Sequence, residues 1–114
     1  MGGAITFPWF PRELHPNARP HHMARARAAK AYRTQCGWIA RAASVAAPSG
    51  PEIMLSVTFN PPSNRGDTDG MIGGCKSLFD GLADAWCIND RAFAFTFRRA
   101  APIKGGQIVV EVAQ

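Results

Sequence analysis

Glu52-Ile53-Met54-Leu55-Ser56-Val57-Thr58-Phe59-Asn60 decides the fold. Ile53, Leu55, Val57 and Phe59 point one way along it, and Met54, Ser56 and Thr58 the other. A period of two with one apolar side marks a strand that rests one face on a core. Pro61-Pro62-Ser63-Asn64-Arg65-Gly66 then breaks the chain into a loop. Beyond it the period changes. Met71, Ile72, Cys75, Leu78, Phe79, Leu82 and Trp86 form an apolar stripe at helical spacing, which predicts a helix from about Thr68 to Trp86.

Further along, Ile88-Asn89-Asp90 reads as a turn and Ala92–Arg99 as a strand with Phe93, Phe95 and Phe97 on one face. Lys104-Gly105-Gly106 reads as a hairpin-like turn into a last strand marked by Ile108, Val110 and Val112. Upstream, Pro48-Ser49-Gly50-Pro51 ends a helical stretch from about Met23 to Ala47, and Ala4–Phe7 reads as a short opening strand stopped by Pro8-Trp9-Phe10-Pro11. The expected order is β-α-β-α-β-β. This is an α+β (α/β) fold, a single domain over residues 1–114 with one mixed sheet and two helices packed on a face of it.

The earlier helix separates its faces. Tyr32, Cys36, Ile39, Ala43 and Ala46 fall on one side, and Arg27, Lys30, Arg33 and Arg41 on the other. Trp38 lands on the cationic side. A large ring there could stack on a base or be buried in a dimer contact, and burial is expected.

Charge is divided along the chain. Residues 1–66 carry eight Lys or Arg against Glu13 and Glu52, a net of +6, whereas residues 67–114 carry five against six acids. Five of the eight carboxylates lie close in sequence: Asp67, Asp69, Asp80, Asp84 and Asp90, with Lys76 among them. An acid cluster in a cationic protein suggests a hard divalent ion on a protein that holds a polyanion. Asp67 and Asp69, two apart at a strand–helix junction, would aim their carboxylates the same way, and Mg²⁺ or Mn²⁺ would relieve their repulsion. Asp90 is expected to fold beside them. Asp69, Gly73, Lys76 and Asp80 would form one row on the polar side of the helix, with Gly73 clearing space for a phosphate and Lys76 neutralising charge on it.

Each of these residues has a plainer role open to it. Asp67 or Thr68 could cap the helix, Asp69 could complement its positive end, Lys76 and Asp80 could be a surface pair, and Asp90 could stabilise a turn.

The runs Phe59-x-Pro61-Pro62-x-x-Arg65-x-Asp67-x-Asp69, Lys76-x-x-Phe79-Asp80-Gly81-Leu82 and Ile88-x-Asp90 resemble the RusA-type Holliday junction resolvases of bacteria and their phages. Lys104-Gly105-Gly106-x-Ile108-x-Val110 is similar to their last hairpin, and Ile5-x-Phe7-Pro8-x-x-Pro11 to their opening. Asn17-Ala18-Arg19, His21 and Ala29-Lys30-Ala31-Tyr32-Arg33 look like the phage and prophage branch. The resemblance implies a small homodimeric endonuclease, dependent on Mg²⁺ or Mn²⁺, that cuts four-way DNA junctions by paired symmetric nicks and leaves 5′-phosphate and 3′-hydroxyl ends. It places the catalytic acids at Asp67, Asp69 and Asp90 and the essential lysine at Lys76, with Asp80 and Asn89 as secondary candidates. Two positions depart from the pattern. Gly70 stands where the family has Asn after the second Asp, and Asn89 stands where it has the first of two turn acids.

DNA contacts are expected from Arg19, Arg25, Arg27, Lys30, Arg33 and Arg65, gripping phosphates without reading sequence. One alternative is a branched-DNA-binding protein of the same fold with weakened or lost catalysis; another is a protein-interaction or structural domain. Cys36, Cys75 and Cys87 fit no zinc spacing and are expected as buried thiols. No small-molecule cofactor, membrane span or signal peptide is read, so a cytoplasmic setting is expected.

Overall fold

The computed structural model describes residues 3–113. Strand β1 (Ala4–Pro8) leads through a short 3-10 turn (Arg12–Leu14) to helix α1 (His22–Ala42). Strand β2 (Ile53–Asn60) follows, then helices α2 (Thr68–Gly74) and α3 (Lys76–Trp86), a second 3-10 turn (Asp90–Ala92), and strands β3 (Phe93–Arg99) and β4 (Gln107–Ala113). The strands form one mixed sheet in the order β1-β4-β2-β3, so the α+β fold with a single mixed sheet is as expected.

The alternation in β2 sets the core. Ile53, Leu55, Val57 and Phe59 are buried, while Met54 is exposed and Ser56 and Thr58 are half-buried. Leu78, Phe79, Leu82 and Trp86 of α3, with Tyr32 and Cys36 of α1, join them in one apolar cluster. Each large apolar side chain buried this way contributes about 1.5–3 kcal/mol. α1 and α3 cross where two glycines meet. A side chain at Gly81 would run into the carbonyl oxygen of Arg33, and one at Gly37 would lie 3.4 Å from that of Gly81.

Three expectations need correction. The second helix is two. Cys75 leaves helical geometry (φ −95°, ψ 1°) and closes a tight turn onto Ile72. The glycines before it are there for packing: Gly74 abuts the ring of Phe10, and a side chain at Gly73 would meet Pro16 Cγ at 2.7 Å. α1 stops at Ala42, because Ala43 turns extended (ψ 145°). The segment beyond it brings Val45 over Gly3.

The last two strands are also not a hairpin. β3 pairs parallel with β2, from Ile53↔Phe93 to Phe59↔Arg99, and β4 pairs antiparallel with β2 on its other side. The Lys104-Gly105-Gly106 turn is real, with positive φ at both glycines, but it lies in a connection that crosses the end of β2. Ala100 and Ile103 donate there to the carbonyls of Phe59 and Pro61. A helical crossover between β2 and β3 makes parallel pairing the natural outcome. No helix among the described residues is long and apolar enough to cross a membrane.

Candidate functional site

β1, β2 and β3 run in one direction, so the sheet has a leading end at Pro8, Asn60 and Arg99 and a trailing end at Ala4, Ile53 and Phe93. Asp67 and Asp69 lie towards the leading end. Asp67 is the N-cap of α2, its Oδ1 accepting from Gly70 N at 2.9 Å, and Asp69 is exposed in the first turn. The plainer role is therefore filled for Asp67, although a carboxylate has several further acceptor positions. Lys76 opens α3, well exposed, with Nζ 3.8 Å from Asp80 Oδ1. Their separation is long for a surface pair, so the amine remains available. Both line a recess of about 310 Å³ together with Arg25, Gly73 and Ser77. The straight row expected along one helix is interrupted at Cys75, and Pro16 occupies the space beside Gly73 that was assigned to a phosphate.

Asp90 lies elsewhere. It opens the 3-10 turn that leads into β3 at the trailing end, with Asn89 capping that turn by accepting from Arg91 N at 3.0 Å. The ends of β3 are about 20 Å apart at roughly 3.3 Å per residue. The expected convergence of Asp90 with Asp67 and Asp69 within one chain is not what the topology gives. Among the described residues no group of three or more His, Cys, Asp or Glu side chains is close enough to hold a metal ion. At the leading end of the sheet the chain offers two carboxylates, Asp67 and Asp69, for the expected divalent ion.

Two residues enter that sequence reading missed. His15 lines a recess of about 260 Å³ with Asp67, Arg65, Phe10 and Met71. Its Nδ1 accepts from Asn17 N at 3.1 Å, which leaves Nε2 as the hydrogen-bearing nitrogen of the neutral ring. Nε2 and Asp67 Oδ1 each lie 3.1 Å from where a side chain at Gly70 would begin. Gly70 is small because His15 and Asp67 crowd its position. The second is Arg99, whose guanidinium donates to the carbonyls of Gly66 (2.7 Å) and Asn64 (3.0 Å), fixing the loop before Asp67. Neither carries a local signal: His15 sits in a polar loop and Arg99 ends a strand, and both matter only through contacts distant in sequence.

The cations divide by what holds them. Arg33, expected as a DNA contact, is engaged in a two-pronged pair with Asp84, at 2.7 and 2.8 Å. The hydrogen bonds to the Arg33 guanidinium hold the Asp84 carboxyl below the usual carboxylate range. Arg25 donates to Ala18 O at 3.1 Å and is half-buried, bracing the loop before α1. Arg19, Arg27, Lys30 and Arg65 are exposed and form no salt bridge among the described residues. His21 caps α1 by accepting from Met23 N.

Of the thiols, Cys36 and Cys75 are buried, whereas Cys87 is exposed at the left-handed end of α3 (φ 54°), contrary to the expectation that all three are buried.

No family model matches the chain. A protein of Xylella fastidiosa (strain Temecula1 / ATCC 700964), described only as an uncharacterized protein, is 37% identical over 94 residues. That alignment covers 79% of this chain and 61% of the relative, so the chain spans less than two thirds of its length.

Proposed function

We propose that this chain is an endodeoxyribonuclease of the Holliday junction resolvase type, acting on branched DNA as a homodimer with Mg²⁺ or Mn²⁺. The observation that supports the reading is that Asp67 and Asp69 stand at the start of α2, with Arg65 beside Asp67 in one recess, while Lys76 at the start of α3 shares a second recess with Arg25 of α1, a helix that has no acidic residue. Exposed cations of α1 would hold phosphates on either side of the acids. Lys76 would stabilise negative charge on the cut phosphate. A divalent ion would supply an activated water, with Asp67 and Asp69 as its ligands from one chain. Asp90, at the opposite end of the sheet, would serve the partner's site: a two-fold axis that sets two copies antiparallel carries the trailing end of one to the leading end of the other. A four-way junction has the matching near two-fold symmetry.

The test is incubation with an end-labelled four-way junction, with Mg²⁺ and with EDTA. Paired nicks that require the metal, and that Asp69→Asn abolishes without weakening junction binding, support the reading. Unchanged cutting by Asp69→Asn refutes it.

A second reading, a branched-DNA-binding protein with weakened or absent catalysis, is favoured by Asp67 serving as a helix cap and by the uncharged Asn89 before Asp90. It predicts junction binding that is indifferent to metal and no nicks.

A further inference from the structure

On the single chain Trp38 is 65% exposed, on the outward face of α1. A ring that large left in water usually marks a surface that meets something. The Arg41 guanidinium lies 5.4 Å from the ring centroid, one turn towards the C-terminus. On the N-terminal side the ring borders a shallow groove of about 520 Å³, floored by Ala31 and Thr34 and flanked by Arg27 and Lys30. A second groove, of about 450 Å³, shares Ala31 and Gln35 with the first and leads away from the cations to Glu13 and the half-buried Trp9.

The charge around the ring selects the occupant. α1 contains five Lys or Arg and no acid. Only Arg33 among them is paired with a carboxylate in the described residues. A second copy laid on this face would set cation against cation, whereas a polyanion complements it. A duplex has no free base face to offer an outstanding ring, but an unpaired strand does, and base–aromatic stacking beside a cationic track is how sequence-tolerant single-strand sites work.

We infer that the Trp38 face of α1 binds single-stranded DNA, with one base stacked on the indole and the flanking phosphates on Arg27, Lys30 and Arg41. This deepens the reading of the chain as a DNA-binding protein and rests on it, but needs no catalysis. At a junction, the strand that opens at the branch point would supply the unstacked base.

The test compares a labelled oligothymidine with a hairpin of equal length, fully paired and closed by a non-nucleotide linker, by fluorescence anisotropy, in EDTA so that cleavage plays no part. Trp38→Ala should weaken oligothymidine binding about tenfold, leave the hairpin within about twofold, and be largely rescued by Trp38→Phe. Arg27→Gln with Lys30→Gln should weaken both ligands and flatten the dependence of log affinity on log salt. No binding of oligothymidine by the unaltered protein overturns the inference, as does an unchanged affinity in Trp38→Ala or an equal loss on both ligands. A fall in sedimenting mass for Trp38→Ala with affinity retained overturns it in favour of a contact between copies. Metal-dependent cutting that survives Trp38→Ala leaves the nuclease reading standing whichever result is found.

Discussion

Arg99 donates from the end of β3 to the carbonyl oxygen of Gly66 at 2.7 Å, one residue before Asp67. The contact ties the loop that presents the acidic pair to the edge strand of the sheet. Arg99→Ala should therefore reduce junction cutting well beyond its effect on folding, since the groups are exposed and the stability change should stay within about 1 kcal/mol. Limited proteolysis should show faster cleavage between residues 61 and 67. Unaltered proteolysis would mean that the loop is held by other contacts.

Arg33 and Asp84 form an ion pair between α1 and α3, with both side chains roughly half exposed. Solvent screening limits such a pair to about 0–1 kcal/mol. The folded state lowers the pKa of Asp84, so the stabilisation is present above the unfolded carboxylate pKa and is lost as pH falls through the folded one. Asp84→Asn should cost a small amount of stability at neutral pH and nothing in strong acid or high salt. A difference that persists in acid would point to packing instead of charge.

The thiols should divide in the native protein. Burial pushes the Cys36 thiol up to about 12 and the Cys75 thiol higher still, while Cys87 lies exposed. A thiol reagent at mildly alkaline pH should modify one site per chain, and Cys87→Ser should remove it. Raised folded pKa values favour the folded state below the unfolded thiol pKa of about 8.5, so stability should fall as pH rises above that value. Rapid labelling of all three thiols in folded protein would contradict the packing of α1 on α3.

Gly81→Ala would drive a methyl group into the carbonyl of Arg33 where the two helices touch. Backbone cannot yield as a side-chain end does, so a loss of about 1–3 kcal/mol or more is expected in denaturant unfolding. A neutral substitution would show that the helices can separate without cost.

Much of this fold was legible because it is written locally. The alternation of β2 and the stripe from Met71 to Trp86 read directly as a strand and a helical segment lying on one core. What was misread depended on partners far along the chain. Gly73 looked like room for a ligand because Pro16, which fills that room, comes from a loop before α1. Arg33 is indistinguishable by spacing from Arg27 and Lys30, and only Asp84, on another helix, sets it apart. Lys104-Gly105-Gly106 signals a tight turn correctly, but a turn does not say which strands it joins, and the crossover placed β2 between β3 and β4. The same crossover sets Asp90 apart from Asp67: the acids are close in sequence, and the direction of β3 decides where the last one falls.

The proposed sharing of each site between two chains is tested most directly by mixing. Asp69→Asn and Asp90→Asn chains should each be inactive alone on a labelled four-way junction with Mg²⁺. Unfolded together and refolded as mixed dimers, they should recover nicking, because one of the two composite sites then contains only unaltered residues from both chains. Mixed dimers, verified by mass, that remain as inactive as either parent would contradict the account and confine each site to a single chain.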